Sequence, residues 1–183
     1  ALSFTLLIGA GLLVRSLINL TRVDTGIEYE NVVTMQAPNT TGTSQAENLL
    51  LMDRVAQEIV GFPGVRIAAH ASRAPFEVTT LTQRTFRVEG MSEDGIVSPM
   101  GQVNSVSPDY FQTVGITVRG GRPFTASDDR TSEGVAIINE SMAGDLFGDA
   151  DPINARIAQQ QNNGSWGDWM RIIGVAADTR EYG

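Results

Sequence analysis

Fourteen residues without a charge open the chain, ALSFTLLIGAGLLV, and Arg15 ends the run. As a helix the run spans about 21 Å, short of the roughly 30 Å hydrocarbon core of a bilayer. The helical pattern continues past Arg15, because Leu6, Leu13, Leu17 and Leu20 fall on one stripe at spacings of seven, four and three. A signal peptide would put basic residues before the run and a small-residue cleavage site after it, whereas Leu17 and Ile18 follow here. Gly9 and Gly11 do not make a dinucleotide turn, since Val14 stands where the third glycine is needed. Gly9-Ala10-Gly11 suits a soluble helix poorly and a membrane packing surface well. The pattern therefore reads as the end of a transmembrane helix that continues as a stalk over residues 1–22. An amphipathic core helix of a soluble domain is the alternative. Because the chain begins on Ala1, inside the run, it reads as a fragment or a processed product.

The remaining 161 or so residues suffice for one sizeable domain or two small lobes. Net charge is −8, every basic residue other than His70 is Arg, and the acids are spread along the chain. Such a surface repels nucleic acid and anionic headgroups, so neither is expected to partner the main body. Without Cys there is no disulfide framework, thiolate nucleophile or Cys-ligated zinc.

NVVTMQAP (31–38) has the β-branched content of a strand that ends at a proline. A helix follows: Ser44 and Glu47 form a capping box, Leu49, Met52, Ala56 and Ile59 make an apolar face, and Gly61 with Pro63 stops it. VRIAAHAS (65–72) alternates as a strand and completes a strand-helix-strand unit. RTFRVEG (84–90) and GQVNSVSP (101–108) alternate in turn. Ser107-Pro108-Asp109 starts a short helix that runs to Gly115, and ITVRGGRPF (116–124) reads as a strand and a glycine turn. GVAIIN (134–139) is a strand, ESMAGDLF (140–147) a helix ended by Gly148, and MRIIGVAAD (170–178) a strand buried on both faces, with a polar loop at 159–169. The fold class is α+β: two outer strand-helix-strand units (about 31–73 and 134–183) share one lobe, and a β-rich lobe (74–133) is inserted between them.

No catalytic set stands out. His70, the one histidine, lies mid-strand without a G-x-S-x-G nucleophile motif or a second His for a metal. Asp128, Asp129 and Glu133 form an acidic group in a polar turn, without calcium-loop spacing. Arg119-Gly120-Gly121-Arg122 could cradle an anion, but no P-loop Lys follows. Trp166 and Trp169 read either as an exposed contact patch or with one ring tucked over the sheet edge. The sequence therefore predicts no catalytic, cofactor or metal residues, and a helix-packing interface at Leu6, Leu13, Leu17 and Leu20.

Four segments in order, LLIGAGLLVRSLINLTRVDTGIEYENVVTM (6–35), VSPDYFQTVGITVRGGRPFTASD (106–128), VAIINESMAGDLFGDADPINARI (135–157) and IIGVAADTREYG (172–183), cover most of the chain. Together they resemble the MacB-like periplasmic core region of FtsX-type ABC transporter permeases. The resemblance implies a porter-like lobe with an inserted β-rich lobe, a bacterial inner-membrane protein whose residues after about 22 lie in the periplasm, and no enzymatic activity of its own. It also implies a separate cytoplasmic ATPase, a permease dimer, a membrane anchor through the N-terminal helix and a periplasmic adaptor, with the domain transmitting ATP-driven movement. The doubled glycine at 120–121 departs from the family pattern. Two rival readings stay open: a singly anchored extracytoplasmic sensor or ligand-binding module, and an acid/base hydrolase using Asp128, Asp129 or Glu133.

Overall fold

A computed structural model describes residues 9, 11, 12, 14, 15, 31–37, 45–74, 83–91, 99–129 and 131–179. Residues 9, 11, 12, 14 and 15 are helical, and among the described residues no helix is long and apolar enough to cross a membrane.

The mixed α+β fold is organised by β6 (Met170–Ala176). Its apolar run places Ile172, Ile173 and Ala176 at 5 % exposure or less, so both faces are covered as the unbroken apolar pattern requires. On one edge β6 pairs in parallel with β4 (Val135–Asn139). The other edge is shared antiparallel, the start by β5 (Arg156–Gln159) and the end by β3 (Val118–Gly121). β5 continues to β1 (Gln83–Val88), and β1 to the short β2 (Met100–Gln102), giving one six-stranded sheet. Two strands of the middle segment, β1 and β3, thus hydrogen bond to β5 and β6 of the final segment.

Three helices accompany the sheet: α1 (Gln45–Val60), α2 (Tyr110–Thr113) and α3 (Glu140–Phe147). Phe86 and Val88 alternate inward from β1 and meet Ile138, Ile157 and Ile172; Met142, Ala143, Leu146 and Phe147 of α3 close this core. A second small cluster joins Tyr110 and Val114 to Ala69, Ala71, Val106, Phe111 and Ile116.

In α1, Leu49, Met52, Ala56 and Ile59 are the half-buried face, as their spacing predicts, and the Gly61 N–H turns back to the Glu58 carbonyl at 3.0 Å. Ser44 lies outside the described residues. The flanking segments depart from expectation. Residues 32–37 carry no regular secondary structure, with Val33 86 % and Met35 73 % exposed. Among the described residues, 65–72 make one bridge, Ala71 with Val106, supported by Ser72 N to Ser105 O (2.7 Å) and Ser107 N to His70 O (2.9 Å). A strand exists only through its neighbour, and no described strand lies beside either segment.

The second glycine of the 120–121 pair has a steric cause, whereas a Cβ on Gly120 would meet Val175 only at an ordinary 3.8 Å. β3 shifts register against β6 between Val118 and Gly120, which brings Gly121 opposite Gly174. Gly121 has φ +70°, and a Cβ there would lie 2.2 Å from the Ile173 carbonyl oxygen; one on Gly174 would lie 2.7 Å from the Arg122 oxygen. Two backbones approach where no side chain fits.

Candidate functional site

The expected helix-packing stripe, Leu6, Leu13, Leu17 and Leu20, lies outside the described residues. The chemistry-bearing residues singled out from the sequence are described, and each has a local partner.

Arg122 leaves β3 with its N–H on the Ile173 oxygen (2.9 Å), which aims its guanidinium at the following turn. There Nη1 and Nη2 donate to the two oxygens of Asp128 at 2.6 and 2.7 Å, and Asp128 also accepts from the Thr125 N–H (2.8 Å) and hydroxyl (2.9 Å). The Arg122 bonds hold the Asp128 carboxyl far below the usual carboxylate range against the opposing effect of burial, with Thr125 adding to the depression. Asp128 raises the Arg122 guanidinium in return. A depressed carboxyl contributes stability above its unfolded-state value and loses it as pH falls toward the folded-state value. With Arg122 45 % exposed, solvent screens much of the pair's attraction. Asp128→Asn is therefore expected to lower urea-unfolding stability modestly at pH 7. The gap to the parent should close as pH drops below about 4, and a gap independent of pH would refute this role.

Asp129 does not join Asp128. Its Oδ1 closes a turn by accepting from the Thr131 hydroxyl (2.7 Å), Thr131 N–H (2.8 Å) and Ser132 N–H (3.1 Å), which keep it below its ordinary value. Glu133 faces Arg171 Nε at 3.0 Å and Arg156 at 3.4 Å. Arg119 meets Glu140 at 3.3 Å, so both guanidiniums of the expected anion cradle face carboxylates. His70 Nε2 sits 2.8 Å from Asp53 Oδ1 and fastens the 65–70 segment to α1. Among the described residues no three His, Cys, Asp or Glu are placed to hold a metal ion.

The tryptophans tuck over the sheet. Both are half-buried, and the Arg87 guanidinium lies between them, 4.5 Å from the Trp166 ring and 4.7 Å from Trp169. A shallow cleft of ≈ 400 Å³ lies beside them, lined by Arg84 and residues 159–163; Arg84 hydrogen bonds Asn162. Carboxamides and a guanidinium supply no nucleophile or acid/base pair.

Sequence reasoning missed the Asp178 bracket. Asp178 accepts from the Asn139 side chain (2.7 Å), the Ser141 hydroxyl (2.6 Å) and the Ser141 N–H (3.0 Å), while Asn139 caps α3 by accepting from Met142 N–H at 3.3 Å. Burial pushes the Asp178 carboxyl up, but the bonds from Ser141 and Asn139 outweigh it and hold the group low. The signal available was N-E-S at a strand end, an N-cap pattern; the partner 39 residues away was not local.

What this surface defines is an α+β scaffold whose polar side chains fix turns and strand ends. Comparison with protein families gives a match over residues 1–183 to the MacB-like periplasmic core domain. The chain belongs to this family. No curated protein sequence matches it. Among solved structures it is similar to the periplasmic region of MacB from Actinobacillus actinomycetemcomitans (17 % identity, TM-score 0.48, covering 69 % of this chain and 50 % of that one). It is also similar to the extracellular domain of the noncanonic ABC-type transporter YknZ from Gram-positive bacteria (20 % identity, TM-score 0.49, 69 % and 57 %). The chain spans about half the length of the solved structures it matches.

Proposed function

We propose that the chain is the extracytoplasmic part of an ABC transporter permease subunit and transmits ATP-driven movement from the membrane to the periplasm. The observation that carries this reading is the family match along all 183 residues. The site geometry supports it, since the candidate acids and bases are engaged in turns and inter-element pairs. In this reading residues 1–22 end a membrane helix and form a stalk, and the remainder is a porter-like lobe with an inserted β-rich lobe. A separate cytoplasmic ATPase, a second permease copy and a periplasmic adaptor complete the machine in the bacterial inner membrane. Nucleotide-driven closure of two ATPases draws the stalks together, and a continuous helix carries that displacement outward.

The Leu13, Leu17 and Leu20 stripe would then pack on a neighbouring membrane helix or on the second copy. In the complete permease with its ATPase, Leu17→Asp with Leu20→Asp is expected to uncouple transport from ATP hydrolysis, so that ATP turnover continues and transport falls to background. Unchanged transport per ATP would reject the stripe as the coupling element.

A further inference from the structure

Helix α1 carries a second pattern besides its half-buried face. Leu50, Arg54 and Glu58 follow at every fourth residue, with Phe62 one step further, just past the helix end. Leu50 is 62 % and Phe62 63 % exposed, and Leu51 and Val55 border the stripe at 43 % and 39 %. Arg54 and Glu58 are exposed too, and among the described residues neither side chain has an ion-pair or hydrogen-bond partner, although the i, i+4 spacing would allow them to pair with each other.

The order apolar, positive, negative, apolar is complementary to its own reverse. Arg54 and Glu58 lie two residues to either side of Ala56, and Leu50 and Phe62 six. A two-fold axis crossing the helix at Ala56 lays α1 antiparallel on its copy, with Arg54 over Glu58 and Leu50 over Phe62, each contact made twice. Parallel pairing would instead set like charge on like, so the charges select the antiparallel arrangement. We infer that this stripe is a self-association surface whose occupant is the same stripe of a second copy of this chain. The inference deepens the dimer reading above by naming the face that makes it.

Sedimentation of the 183-residue chain in mild detergent tests it. The parent is expected to show a monomer-dimer equilibrium. Arg54→Glu and Glu58→Arg should each weaken dimerisation about tenfold or more, equivalent to about 1.4 kcal/mol. An equimolar mixture of the two variants should regain parent-like association, because each then offers the charge the other lacks. That recovery cannot come from misfolded partners. Two single variants that dimerise like the parent, or a mixture that fails to recover, would overturn the inference. If the chain stays monomeric while the complete permease with its ATPase is dimeric, this face is rejected and the dimer reading survives. If both are monomeric, both fall.

Discussion

Gly121→Ala is expected to destabilise the domain by at least about 3 kcal/mol, the sum of left-handed backbone strain and overpacking. The methyl group would enter at φ +70° and meet the Ile173 carbonyl oxygen at 2.2 Å, with Ile153 Cδ1 at 2.9 Å. Neither the backbone of β6 nor the register of β3 can yield without losing the pairing on which the sheet depends. For a domain of this size the loss corresponds to a fall in Tm of roughly 6–12 °C. Gly144→Ala is the contrast. It lies inside α3, a Cβ there meets nothing within 4 Å, and the expected change is a gain of about 0.5–1 kcal/mol. Urea unfolding of both variants checks the pair of signs, and a tolerated Gly121→Ala would contradict the β3–β6 contact.

Ile172→Ala is expected to cost about 2–5 kcal/mol, and Ile172→Val about 0.5–1.5 kcal/mol. Ile172 has no exposed surface and sits where β6, β4, β5 and α3 converge, touching the cluster of Phe86, Val88, Ile138 and Ile157. A closely packed site of this kind cannot collapse into the vacated volume without moving a strand. Thermal unfolding of the two variants gives the graded loss. Equal, small effects from both would mean the core lies elsewhere.

Local periodicity carried the helices. The Leu49, Met52, Ala56 and Ile59 face and the Gly61 stop of α1 can be read directly from the chain, as can α3 with its Gly148 end. Strands were legible where a partner exists, as at β1, β4 and β6. They were over-read at 31–38, from β-branched content, and at 65–72, from alternation, where no described ladder is present. β5 escaped notice because its four residues include only two apolar ones, Ile157 and Ala158, and its identity comes from β1 and β6 on either side. The same limit applies to polar chemistry. Asp128 read as a member of an acidic cluster because the sequence does not show that Arg122 reaches it across a turn. Trp166 and Trp169 read as a loop pair because Arg87, the cation between them, is about 80 residues away. Family membership was legible in the order of four segments, each weak by itself.

In the transmission mechanism proposed above, the extracytoplasmic body changes position with the nucleotide state of the ATPase. Asn163→Cys, on an exposed loop of a chain without cysteine, gives one labelling site per copy once any cysteine of the complete permease outside these 183 residues is replaced by Ser. The measurement is the label-to-label distance between the two copies by pulsed electron spin resonance, without nucleotide and with ATP trapped. The account predicts two distinct distance distributions that interconvert with nucleotide. One unchanged distribution while ATP turnover and transport both proceed would contradict it.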